Sequence, residues 1–96
     1  MKPDMIIIRE YCVQSQIEPD FIFQLEEEGL IELYIEEDEP YIFLSQLNKI
    51  EQYARWYYDL SINVAGIDVI RNLLDRMEEM QSEMQRMKER LSLFER

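Results

Sequence analysis

The apolar positions change period along the chain, and each change marks an element. Met5 to Ile8 is a short run rich in β-branched side chains and predicts a strand. Arg9 to Ser15 predicts a short helix with Tyr11, Cys12 and Val13 near its buried side. Gln16 to Glu18 is then a tight connection. Pro19 suits a first helical position, where a missing N–H costs little. From there Phe21, Ile22, Leu25 and Glu28 follow a helical rhythm, and Gly29 is the stop. Two short helices joined by a short turn are a helix-turn-helix candidate. Ile31, Leu33 and Ile35 next alternate with Glu32 and Tyr34, a strand pattern. Glu36, Glu37, Asp38 and Glu39 form a charged turn closed by Pro40, and Tyr41 to Leu44 is the return strand. A hairpin after a helix pair is the wing of a winged helix. Ser45 is the expected cap of a third helix running to about Asp59, with Leu47, Ile50, Tyr53, Ala54 and Tyr57 on one face. Leu60 to Asn63 breaks it, and Asn63 is the expected N-cap of the last helix.

That last helix carries the clearest periodicity. Ile70, Leu73, Met77, Met80, Met84, Met87, Leu91 and Phe94 repeat at alternating spacings of three and four, a heptad seam. As one helix from Val64 to Glu95 it would be about 48 Å long at ~1.5 Å per residue. Residues 1–63 are too few to cover that length, so the seam predicts pairing with a second copy. In a parallel pair Glu83 would meet Lys88 and Arg90 would meet Glu95, rim contacts worth only ~0–1 kcal/mol each. The organisation expected is a winged helix-turn-helix domain over 1–63 and a coiled-coil helix over 64–96. The fold class is mainly α with a small β-hairpin.

Charge then narrows the partners. The chain has 21 acidic and 10 basic side chains, a net charge of −11. Between Glu10 and Asn48 there is no Lys or Arg at all. That stretch is the whole helix-turn-helix and wing, where DNA readers place their phosphate and base contacts. Nucleic acid and anionic membrane surfaces are therefore disfavoured, and a basic protein is favoured. No apolar run approaches the ~20 residues of a membrane helix. Met1 to Ile8 is too short and too lightly charged for a secretory signal. Cys12, the one cysteine, permits no internal disulfide and suits a reducing cytoplasm.

Several strings carry a resemblance. Ile7 to Ile70 resembles the N-terminal domain of MerR-type regulators, through EEEGLI (Glu26 to Ile31), the hairpin, YIFLSQLNKI into the third helix, and DLSINVAGIDVI before the long helix. Phe23 and Glu27 stand where that family would have arginine. The chain is more closely similar to the CbpM-like chaperone modulators. The shared features are Glu10-Tyr11-Cys12, the acidic helix ending in a Gly-hydrophobic pair, and the terminus Glu89 to Phe94. That resemblance implies an adaptor that binds the J-domain of a DnaJ-like co-chaperone and inhibits its action on DnaK. It departs in having Met largely replace Leu in the seam. The MerR resemblance implies an antiparallel pair.

The expected partner-binding residues are Glu26, Glu27, Glu28, Glu36, Glu37 and Asp38, with Phe23 and Tyr34 as aromatic anchors. The bland alternative is a solvated acidic face. The Met stripe could alternatively be an adaptable binding surface, though heptad spacing favours the dimer seam. Trp56, Tyr57 and Tyr58 are expected to pack between the third and last helices. No His, phosphate-binding glycine loop or metal-ligand spacing is present, so no catalytic, cofactor or metal site is expected. The rival reading is a MerR-like transcription factor using Lys49 and Arg55 on phosphate.

Overall fold

The computed structural model describes residues 4–95. Met1, Lys2, Pro3 and Arg96 lie outside the described residues. With them go the start of the Met1 to Ile8 segment and the last residue of the 64–96 span. The elements are β1 (Met5–Ile7), α1 (Ile8–Ser15), α2 (Pro19–Glu27), β2 (Leu33–Glu36), β3 (Glu39–Phe43), α3 (Leu47–Ala54) and α4 (Val64–Phe94). A 3₁₀ turn over Leu44–Gln46 leads into α3, and a π-turn over Arg55–Asp59 extends it. The mainly helical winged fold with one long last helix is as the apolar pattern predicts.

The helix pair is built by local rules. Ile8, Tyr11 and Cys12 fall on one side of α1 and are buried. Val13 lies on the other side of this two-turn helix and is 80% exposed, contrary to expectation. Gln16 closes α1 in the left-handed region (φ 63°), its N–H donating to the Cys12 carbonyl at 3.0 Å. Pro19 opens α2 as its first helical residue. Gly29, at φ 74°, closes it: the Leu30 N–H reaches back to the Leu25 carbonyl at 2.9 Å and the Gly29 N–H to Glu26 at 3.0 Å. A side chain at Gly29 would meet no atom within 4 Å, so conformation alone asks for glycine there.

The hairpin is one part of a three-stranded antiparallel sheet in the order β1-β3-β2. Strand β1 pairs on β3 (Ile6 with Ile42), and Ile8 belongs to α1 instead of the strand. The turn is tighter than the acidic run suggested. Glu36 and Glu39 are paired strand residues, and only Glu37 (φ 51°) and Asp38 (φ 64°) turn the chain. Two successive positive φ values match the right-handed twist of the flanking strands. Pairing with β1 stops at Tyr41, so Pro40 sits where β3 has one neighbour. Ile31 is buried ahead of the strand, and Ile35 is 68% exposed because β2 has there run out past the core.

Ser45 does not cap α3. It lies inside the 3₁₀ turn, and no side chain caps this helix. Gln46 is used instead to hold the strand entrance: its amide accepts from the Glu32 N–H and donates to the Glu32 carbonyl, both at 2.7 Å. Asn63 does cap α4, accepting from the Gly66 N–H at 2.7 Å.

The core is one cluster centred on Phe21, Ile22, Leu25, Ile42, Ile50, Tyr53 and Ile67, each essentially inaccessible. It includes Val64 and Ile67 from the first turn of α4. The π-turn widens the end of α3 so that consecutive tyrosines reach Phe21, with ring centroids 4.5 Å away for Tyr57 and 5.6 Å for Tyr58. The Tyr58 hydroxyl also accepts from the Glu18 N–H at 3.0 Å. These aromatics therefore tie the end of α3 to α2, and the π-turn that carries them also packs on the last helix, as the sequence suggested.

Candidate functional site

Helix α2 turns Phe21, Ile22 and Leu25 inward, which fixes what it shows outward. Phe23 lies between Asp20 at i−3 and Glu26 and Glu27 at i+3 and i+4, neighbours on a helix surface. All four are exposed, and Phe23 is 39% accessible. In a winged helix this is the face presented to a DNA groove. Here it carries carboxylates around one aromatic ring. Glu28 follows at the exposed C-cap.

The second acidic group lies on the wing. Glu37 and Asp38 are exposed at the tip and Glu36 is half-exposed. Four strand residues, Leu33 to Glu36, separate the tip from the start of β2, a rise of about 10 Å. The acids thus lie on two elements, the end of α2 and the wing tip. Tyr34 sits between them on β2, half in contact with Phe43 at a ring-centroid distance of 6.3 Å. Glu39 belongs to β3 and meets Arg9 at 3.6 Å.

The basic residues of the rival reading are placed elsewhere. Lys49 borders a cavity of about 510 Å³ that it shares with Asp68, Asp75 and Glu78. Arg71 in the same cavity is held by Asp75 at 3.0 Å. Arg55 borders a smaller recess with Trp56, Asp59 and Leu60. Neither Lys49 nor Arg55 lies on α2 or the wing; Lys49 shares its cavity with three carboxylates and Arg55 its recess with one, Asp59.

On α4 the seam splits. Ile70 is half-buried, while Leu73, Met77, Met80, Met84, Met87, Leu91 and Phe94 are each more than half exposed. From Asp75 to Glu95 every residue is exposed. Among the described residues, none covers the stripe from Leu73 onward.

Three buried acids of the neutral kind have raised pKa values. Burial pushes Tyr11 up, with Glu51 and Cys12 adding and Ser15 opposing. Burial alone raises Cys12. Burial raises Tyr53, with Arg71 opposing. Each lies in the core, where it is neutral and serves packing. Among the described residues no group of three or more His, Cys, Asp or Glu is placed to hold a metal ion, and no helix is long and apolar enough to cross a membrane.

Sequence reasoning missed the outer face of the sheet, which depends on β1 joining β3. The only signal for it was the parity of Met5 and Ile7 around Ile6.

Comparison with the curated proteins and with the solved structures gives no significant match. A family model described as MerR HTH family regulatory protein matches residues 6–89. The match runs from the first strand through both short helices, the sheet and α3 into the distal half of α4, and the chain belongs to that MerR helix-turn-helix family.

Proposed function

We propose that this MerR-family chain is a non-catalytic, protein-binding adaptor of the reducing cytoplasm. Its acidic helix-turn-helix and wing take a basic partner in place of DNA, and α4 pairs with a second copy. The carrying observation is the outward face of α2, where Asp20, Phe23, Glu26 and Glu27 occupy the surface a DNA reader fills with cations. Like charges would oppose phosphates across that whole interface, whereas Lys- and Arg-bearing protein surfaces are steered toward it. The resemblance to CbpM-like chaperone modulators supports a specific partner, the J-domain of a DnaJ-like co-chaperone, which the adaptor would withhold from DnaK.

The test is a calorimetric titration of the full chain with the J-domain of its own organism's DnaJ-like protein at low and high salt. Binding should weaken with salt, since exposed charges are screened over ~8–10 Å. The triple change Glu26→Lys, Glu27→Lys, Glu28→Lys should weaken it at least tenfold. Unchanged affinity in that variant would remove the α2 face as the site, and no binding at either salt would remove this partner.

The family match itself favours a second reading, a DNA-binding regulator. Lys49 of α3 and Arg55 of the π-turn that follows it would supply its phosphate contacts. A low-salt mobility shift with the DNA upstream of its own gene decides between them: specific retardation lost in Lys49→Ala/Arg55→Ala supports the regulator.

A further inference from the structure

The methionines of this chain are unevenly placed. Four of its six lie on α4, at Met77, Met80, Met84 and Met87. They fill four consecutive positions of the heptad stripe, between Leu73 and Leu91. Each is more than half exposed, from 55% for Met77 to 64% for Met80. Among the described residues, the buried core of the winged domain contains no methionine. Met5, half-buried on β1, is the one described methionine outside the stripe. Cys12, the other sulfur-bearing side chain, is buried, and burial raises its pKa, so little of it is the reactive thiolate. The sulfur that solvent can reach is therefore concentrated on the pairing stripe.

A stripe with three-four spacing from Leu73 to Phe94 is matched along its length by a helix of the same period. A second copy of α4 is such a helix. The seven exposed side chains, at on the order of 100 Å² apiece, put roughly 700 Å² of each copy into the pair, near the ~800 Å² per partner of a stable interface. We propose that Met77, Met80, Met84 and Met87 form the modification site of an oxidation-sensitive switch, in which a hydroperoxide converts the seam thioethers to sulfoxides and opens the α4 pair while the winged domain stays folded. The inference rests on the pairing reading of α4. Each thioether sulfur gives an electron pair to one peroxide oxygen. An S–O bond forms and the O–O bond breaks. The leaving oxygen takes up the proton of the transferred one and departs as water or an alcohol. Sulfur is oxidised and the peroxide reduced. The product is polar, and returning it to the seam buries an S–O acceptor for which Leu73, Leu91 and Phe94 supply no donor. Pairing covers the same sulfurs, so association and oxidation oppose each other. Two thiols of a sulfoxide reductase remove the oxygen as water and become a disulfide, which makes the change reversible.

The experiment treats the full chain with hydrogen peroxide over a range of protein concentrations, maps each methionine by mass spectrometry and follows self-association by sedimentation. Oxidation acts on unpaired copies, so its rate at the four stripe methionines should fall about tenfold as the chain passes from mostly unpaired to mostly paired. Met5 should show no such dependence. The sulfoxide chain should associate about tenfold more weakly or worse, with the thermal melt of Trp56 fluorescence unchanged. The quadruple change Met77→Leu, Met80→Leu, Met84→Leu, Met87→Leu keeps the seam apolar and should associate equally before and after peroxide. A sulfoxide chain that pairs like the untreated one, or a quadruple variant that loses pairing equally in peroxide, overturns the switch and leaves the pairing reading standing. A Trp56 melt that falls with oxidation of the stripe also overturns it. An untreated chain that stays monomeric at hundreds of micromolar removes the pair and the switch together.

Discussion

The two ends of this molecule carry similar apolar periods and put them to different use. In residues 4–63 the helical repeats of α1, α2 and α3 close on one another, and Ile22, Leu25 and Ile50 leave no accessible surface. On α4 the repeat continues for seven turns beyond Ile67, yet Met80 remains 64% exposed and Phe94 85%. The difference lies in what can reach each stripe. A helix of 31 residues is about 46 Å long at ~1.5 Å per residue, and the rest of the chain covers its first turns only. An apolar period therefore specifies burial without specifying by whom. For the globular end the partner is the same chain, and for the distal helix we propose a second copy.

That contrast breaks or sharpens under substitution. Leu25→Ala should destabilise the N-terminal region by about 2–5 kcal/mol, followed by urea melting of Trp56 fluorescence. Met84→Ala should leave that melt unchanged in dilute solution. Met84→Glu should weaken self-association at least tenfold by sedimentation, because one fully buried apolar side chain is worth roughly 1.5–3 kcal/mol. A wild-type chain that sediments as a monomer at hundreds of micromolar would break the comparison and leave the seam to some other partner.

A smaller effect is expected where the two regions join. Asn63→Ala removes the acceptor for the Gly66 N–H and should cost about 1 kcal/mol. If the distal helix is held by pairing, its loss of helicity should be confined to the first turn, read by amide hydrogen exchange.

The smallest effect separates the regions by pH. Tyr11, Cys12 and Tyr53 all have raised pKa values in the folded core. The unfolded chain therefore loses these protons first as pH rises. Their contribution is complete at neutral pH and falls once the ordinary cysteine and tyrosine values, 9.0 and 10.0, are passed. Urea midpoints of the core should fall between pH 8.5 and 10.5, while seam-dependent association, which involves none of these groups, should follow a different profile.

Much of this fold was legible because it is local. Pro19 starting α2, Gly29 ending it and Asn63 capping α4 each act within a few residues, and each is found where the sequence places it. The failures are tertiary. Ser45 had the chemistry of a cap, but the chain enters α3 through a 3₁₀ turn and Gln46 is committed to Glu32. Val13 was apolar and turned outward because a two-turn helix has room for one buried face. Ile35 kept the strand's alternation and lost its burial because the wing extends past the core. Of the candidate site, the acidic helix end and the acidic wing tip were both plain in sequence, while the strand pairing that takes Glu36 and Glu39 out of the turn was not.

The sequence by itself determined the order of elements, the acidic helix-turn-helix, and a terminal helix too long for its own domain to cover, because period, caps and charge are properties of neighbouring residues. Tertiary structure alone decided that Met5–Ile7 joins β3, that a π-turn brings Tyr57 and Tyr58 onto Phe21, and that Ile7, Tyr41 and Phe43 share one outer face. Those outcomes depend on pairing between residues more than thirty positions apart, and no local pattern encodes which strand will find which edge.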